Sequence, residues 1–157
     1  MARLPEGQPF VIVGAGSLGQ SFAALLARAG EHVTLLATPR STDRLLASGV
    51  ITLQGVVDAV VPARNASASA GSIALTTSPT DLPRDARVLF TTKGHDLPEA
   101  IEAVRLAAGE RVAWAAGVQN GIVKDDLLAT AFGAERVVGA VTIFGAQRPT
   151  DGNGGVL

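Results

Sequence analysis

The chain has 157 residues, 47% of them hydrophobic and 17% charged, with 13 basic against 14 acidic side chains and a formal net charge of −1. That composition suits one domain with a sizeable core and excludes a disordered segment or a polyanion-binding surface, so no nucleic acid partner is expected. With no cysteine and two histidines, disulfides, thiolate zinc sites, iron–sulfur clusters and a cysteine nucleophile are excluded, and no metal site is expected.

The opening MARLPEGQP carries Pro5, Glu6, Gly7 and Pro9 and lacks the apolar core of a secretory signal. Gly, Pro or charge interrupts every apolar run before it could cross a bilayer. A cytoplasmic protein without a membrane partner is therefore expected, and a homo-oligomer stays open. Phe10-Val11-Ile12-Val13, ended by Gly14, reads as a strand buried on both faces. From 18 to 29, Leu18, Phe22, Leu25, Leu26 and Ala29 recur at helical spacing and Gly30 supplies the stop. Residues 32–37 resume the strand pattern, so 10–37 form one βαβ unit.

Ser41 or Thr42 can cap a short helix running to Ala47, after which 50–53 and 56–61 read as a peripheral hairpin. The small residues of 65–72 predict a surface loop. A buried strand over 88–92 precedes a helix over 97–106, closed by Gly109. Residues 111–115 read as a strand, with Trp114 in the core, 125–132 as a helix ended by Gly133, and 136–142 as a further strand. The closing PTDGNGGVL reads as a loop or a cut end. This alternation specifies an α/β fold of the Rossmann type: a doubly wound, mostly parallel sheet with helices on both faces, forming one domain over 1–157.

Gly14-Ala15-Gly16-Ser17-Leu18-Gly19 satisfies Gly-x-Gly-x-x-Gly between a predicted strand and a predicted helix. Gly14 permits the tight turn, Gly16 lets backbone approach a pyrophosphate, and Gly19 allows close helix packing, while the helix N-terminus faces the anion. The alternative is a glycine-rich turn without a ligand. An NAD site would place a carboxylate near the end of the second strand, where this chain has Leu35-Leu36-Ala37-Thr38. Thr38, Arg40 and Arg44 could instead meet a ribose 2′-phosphate, which favours NADPH, unless the arginines are only solvated helix charges.

Lys93, in Thr91-Thr92-Lys93-Gly94, and Asn120, in Gly117-Val118-Gln119-Asn120-Gly121, follow two predicted strands at the carboxyl edge of the sheet. A lysine there can meet an anion, and an asparagine can orient a nicotinamide ribose or a carbonyl substrate. Read alone, Lys93 is a surface charge and Asn120 an Asn-Gly turn. His95 and Asp96 invite an acid–base role but more simply line the loop, and His32 reads as exposed. Glu99, Glu102 and Arg105 read as a solvated helix face.

On VIVGAGSLG, HVTLLATPR, TTKGHDL (91–97) and VQNGIVKDDLL (118–128), with AVTIFGAQ continuing the register, the chain resembles the ketopantoate reductase (2-dehydropantoate 2-reductase) family over nearly its whole length. The resemblance implies reduction of a 2-keto acid, 2-dehydropantoate to pantoate, with NADPH held by an N-terminal Rossmann domain, on the route to pantothenate. It further implies that Lys93 and Asn120 line the cofactor–substrate cleft. The family's proton-donating lysine and a substrate-binding glutamate belong to a helical C-terminal domain, expected to lie beyond Leu157, so this chain alone is expected to be inactive. Two departures stand out: Thr38 where the family usually has arginine, and an apparent insertion around 65–72. The rival reading is a non-catalytic NADP-binding or sensing module, or a subunit needing a partner chain.

Overall fold

The computed structural model describes residues 7–143 and 145–147, and the backbone of 155–156. Among these, the strands are β1 (Phe10–Val13), β2 (Val33–Leu36), β3 (Val50–Leu53), β4 (Ala59–Arg64), β5 (Ile73–Thr76), β6 (Ala86–Phe90), β7 (Val112–Gly117) and β8 (Gly155–Val156). The α-helices are α1 (Ser17–Arg28), α2 (Pro39–Ser48), α3 (Leu97–Ala108) and α4 (Val123–Phe132). The strands join one sheet in the order β7-β6-β1-β2-β5-β4-β3-β8. Every described pairing is parallel except β3 with β4.

The apolar run of β1 is continuous because both its faces are covered. Phe10 and Ile12 pack with Ala23, Ala24 and Ala27 of α1 and Leu45 of α2, whereas Val11 and Val13 pack with Ile101 and Val104 of α3 and Leu128 and Phe132 of α4. Helices therefore flank both faces, as the α/β reading requires. From β1 the chain passes first to β2 on one side, returns inward through β3, β4 and β5, and then crosses to β6 on the other side of β1. The crevice at the carboxyl ends of β1 and β6 is thus a topological switch point, the place where such sheets offer room to a ligand.

Several boundaries differ from the sequence reading. Thr38, not Ser41 or Thr42, caps α2: its hydroxyl accepts from the Ser41 amide at 3.3 Å, Pro39 opens the helix, and Gly49 closes it with φ at 69°. The second hairpin strand begins at Ala59 rather than 56, because the Gly55 amide donates to Asp58 Oδ1 at 3.0 Å and closes a turn that leaves Val56 exposed at its tip. The hairpin also belongs to the main sheet, through β4 and β5.

Strand β5 was not foreseen. It follows the expected loop, which is closed by Ser69 and Ser72 at 2.7 Å. The strand expected over 136–142 is replaced by a single parallel bridge between Ala115 and Val137, with the Val138 amide donating to the Ala115 carbonyl at 2.9 Å. Beyond it Val141 and Ile143 turn outward and are exposed. In the closing stretch, residues 155–156 pair with Thr52 and Leu53 as β8, contrary to a loop. Residues 1–6, 148–154 and 157 of the opening and closing stretches lie outside the described residues. Trp114 is half-buried, edge-on to Phe10 with ring centroids 6.1 Å apart. No helix among the described residues is long and apolar enough to cross a membrane.

At the amino edge of the sheet, Arg87 is buried, with its guanidinium 3.7 Å above the Phe10 ring. Its Nη2 donates to the Gln8 carbonyl and to Glu31 Oε2, the latter at 2.5 Å. Arg87→Met keeps the apolar stem but removes the charge that satisfies both acceptors. Because Glu31 is partly exposed and can regain water, the expected cost is about 1–3 kcal/mol, read from urea unfolding. An unchanged midpoint would show the pair to be neutral.

Candidate functional site

The glycine turn between β1 and α1 is tightly packed on one side and open on the other. Gly14 has φ of 105°, and a Cβ there would stand 3.0 Å from Thr92 Cγ2 and 3.1 Å from the Thr92 amide nitrogen. Its own amide donates to the Leu36 carbonyl at 2.9 Å, tying the turn to β2. Ala15 is buried, and its carbonyl accepts from Gln20 Nε2 at 2.8 Å. Gly19 is pressed onto the turn so closely that a Cβ would lie 1.9 Å from the Gly14 carbonyl oxygen and 2.6 Å from Thr91 Oγ1. Leu18 packs against the core beside it.

Gly16 is the open position. It is exposed, and a Cβ built there meets nothing within 4 Å. It precedes α1 at Ser17 without any side-chain cap, and the first turn of α1 holds no acidic residue. The start of α1 therefore offers amide donors and the positive end of a helix dipole to an anion, with no carboxylate to compete. These residues fit a diphosphate group.

At the end of β2, Thr38 and Arg40 are both exposed. The Thr38 hydroxyl is engaged by the Ser41 amide and lies 3.2 Å from Ser41 Oγ. Arg40 lies in the first turn of α2, and Arg44 is exposed one turn on. The stretch from Val33 to Ser41 contains no carboxylate.

Lys93 and Asn120 are exposed on the loops that leave the adjacent strands β6 and β7 at the same edge. Thr91 ties the first loop to the glycine turn, its hydroxyl lying 2.9 Å from both the Val13 and the Gly14 carbonyl oxygens. Gln119 ties the two loops together, since its Nε2 donates to the Thr92 carbonyl at 2.8 Å and to the Phe90 carbonyl at 3.2 Å. Lys124 holds the second loop from below. It is buried, and its ammonium donates to the Gly121 carbonyl at 2.9 Å, with Asp125 Oδ2 at 3.4 Å.

The sequence reading missed the roles of Thr91, Gln119 and Lys124. For Lys124 a signal existed: a cation in the first turn of a helix opposes the dipole and calls for a compensating contact.

The remaining titratable candidates stand apart from the crevice or open to solvent. His95 and Asp96 are both exposed, 3.3 Å apart, and His32 is exposed at the start of β2, the opposite edge. Glu102 and Arg105 form an exposed pair on α3, where two hydrogen bonds from the guanidinium hold the Glu102 carboxyl below its usual range. A cavity of about 500 Å³ lined by Pro9, His32, Thr34, Asn65 and Asp81 includes none of the residues around the glycine turn.

A family model described as ketopantoate reductase PanE/ApbA matches residues 10–154. A 2-dehydropantoate 2-reductase of Pyrococcus abyssi (strain GE5 / Orsay) is 29% identical over 136 residues, covering 87% of this chain and 40% of the relative. The crystal structure of 2-dehydropantoate 2-reductase from Geobacter metallireducens GS-15 superposes with a TM-score of 0.75 at 27% identity, over 94% of this chain and 45% of that one. D-mandelate dehydrogenase, in a ternary structure with NADH and anilino(oxo)acetate, shares the fold with a TM-score of 0.70 at 18% identity, over 95% of this chain and 45% of that one. The chain thus spans less than half the length of each of these relatives.

Proposed function

Because the chain belongs to the ketopantoate reductase PanE/ApbA family, we propose that residues 1–157 form the NADPH-binding domain of an oxidoreductase that reduces a 2-keto acid, with 2-dehydropantoate as the substrate and pantoate as the product. The observation that carries this reading is the glycine turn at the switch point, closed at Gly14 and Gly19 and open at Gly16. It gives an anion access to backbone donors at the carboxyl ends of β1 and β6, the switch point of the sheet.

In this reading Gly14, Ala15, Gly16, Ser17, Leu18 and Gly19 cradle the diphosphate. Arg40 meets the ribose 2′-phosphate, and Thr38 shapes that pocket by capping α2. Lys93 places positive charge beside the nicotinamide end and the keto acid, and Asn120 fixes their orientation by hydrogen bonds. When bound, NADPH supplies the hydride that reduces the C2 carbonyl. The proton for the resulting alkoxide is assigned, by resemblance to the family, to a lysine of its helical domain. The same reading puts the protein in the cytoplasm, on the route to pantothenate.

Titration of the chain with NADPH and with NADH, followed by nicotinamide fluorescence, tests it. NADPH is expected to bind about ten-fold or more tightly, and Arg40→Ala to erase most of that difference, since one guanidinium–phosphate contact is worth roughly that much. Equal affinities in the parent chain would remove the 2′-phosphate site. Binding of neither by a folded chain would make the glycine turn purely structural.

A further inference from the structure

We propose that Gln119 is a positioning residue for the cofactor's nicotinamide half, holding the Lys93 and Asn120 loops at a fixed separation; this rests on the NADPH reading. Its carboxamide folds back across the end of β7 and spends both N–H donors on the Phe90 carbonyl, which ends β6, and on the Thr92 carbonyl in the loop after it. Only the NH2 end of the amide can meet two carbonyl oxygens, so the orientation of the group is set chemically.

The consequence is an unusual arrangement at the other end. Gln119 Oε1 is fully buried and has no hydrogen-bond partner, an uncompensated acceptor of the kind that is costly and found where a fold trades stability for geometry. Gly117 makes the arrangement sterically possible, since a Cβ there would lie 2.7 Å from Oε1 and 3.1 Å from Lys124 Cδ.

The two carbonyls that Gln119 grips flank Thr91, whose hydroxyl lies within hydrogen-bond distance of the Val13 and Gly14 carbonyls. A single line of hydrogen bonds therefore runs from the glycine turn through the Lys93 loop to the residue before Asn120, crossing β1, β6 and β7. Side chains at Lys93 and Asn120 are exposed and have no such anchoring of their own, so the brace sets their separation together with the Val118 amide on the Phe90 carbonyl at 3.1 Å and the Lys124 bond to Gly121. In the NADPH reading the adenosine end belongs to Thr38 and Arg40 after β2, away from the brace.

That difference supplies the test. Gln119→Met keeps the length and removes both donors, and Gln119→Glu replaces them with oxygens that repel the two carbonyls. Affinities of the parent chain and each variant are measured for NADPH and for adenosine 2′,5′-bisphosphate, which lacks the nicotinamide half, with folding followed by circular dichroism. The expected result is NADPH binding weakened about ten-fold with bisphosphate binding held within about two-fold, since only the nicotinamide end loses ordered partners. Gln119→Met, which introduces no charge, carries the conclusion if Gln119→Glu fails to fold. Equal losses for both ligands, or no loss for either, would reduce Gln119 to a structural residue while leaving the cofactor reading intact. A parent chain that binds the bisphosphate and NADPH equally well, or binds neither, overturns the positioning role, and in the second case the cofactor reading falls as well.

Discussion

Gly19→Ala is expected to lower the unfolding free energy by about 1–3 kcal/mol or more and to abolish measurable NADPH binding in the same protein. The added Cβ would sit 1.9 Å from the Gly14 carbonyl oxygen and 2.6 Å from Thr91 Oγ1. Neither neighbour can yield cheaply. The Gly14 carbonyl belongs to a turn whose amide is bonded to Leu36 at 2.9 Å, and the Thr91 hydroxyl lies 2.9 Å from two carbonyls. Helix α1 must therefore withdraw by roughly 1.5 Å to regain ordinary contact, which loosens Ala23, Ala24 and Ala27 from the sheet. The same shift removes the helix start from the turn, so the anion site loses its donors. Urea unfolding and NADPH titration measure the two effects, and a variant with the parent's midpoint would mean that the helix does not rest on Gly14.

The fold was legible where apolar spacing and glycine punctuation agreed. β1, α1 and β2 follow from VIVG, from the helical spacing starting at Leu18 and from HVTLL, because a strand buried on both faces and a helix with one apolar stripe leave distinct patterns. The misreadings have local physical causes. Val56 and Val57 have strand chemistry yet sit on a turn set by Gly55 and Asp58, and a backbone turn overrides β propensity. Ile73-Ala74-Leu75-Thr76 is four residues long and follows a run of small polar residues, too short to show a period. Residues 136–142 are rich in β-branched side chains, but past the bridge at Val137 the chain is tied near the end of β7 by a side chain, the Thr142 hydroxyl on the Val118 carbonyl at 3.1 Å, rather than by a strand ladder.

At the candidate site, the sequence reading named residues of two kinds: Gly16, Thr38, Arg40, Lys93 and Asn120, which are exposed, and Gly14 and Gly19, which are packed against the turn. It could not identify Thr91, Gln119 and Lys124 as the groups behind them. Their partners are the backbone carbonyls of Val13, Gly14, Phe90, Thr92 and Gly121, acceptors that carry no signature in a sequence, and the cation at Lys124 in the first turn of α4 is the one trace they leave.

Gly16→Ala should reverse the pattern of Gly19→Ala, with thermal unfolding close to the parent's and NADPH affinity lower by about 10- to 100-fold. Folding has little to lose. The new Cβ meets nothing within 4 Å, and φ of −70° with ψ of −175° is ordinary extended backbone for alanine. Alanine is the poorer helix cap by roughly 0.5–1 kcal/mol, but it also restricts the unfolded chain by about the same amount, so the two effects offset. Binding has much to lose, because the methyl group occupies the open side of the turn, where a diphosphate must come within hydrogen-bond reach of backbone amides. Displacing it weakens charge-assisted bonds worth about 1.5–3 kcal/mol each. The pair of variants therefore separates the two functions of the glycine turn: Gly19 is required because protein lies against it, Gly16 because protein does not. NADPH binding by Gly16→Ala at the parent's affinity would place the diphosphate elsewhere on the sheet edge and return the glycine turn to a role in packing alone.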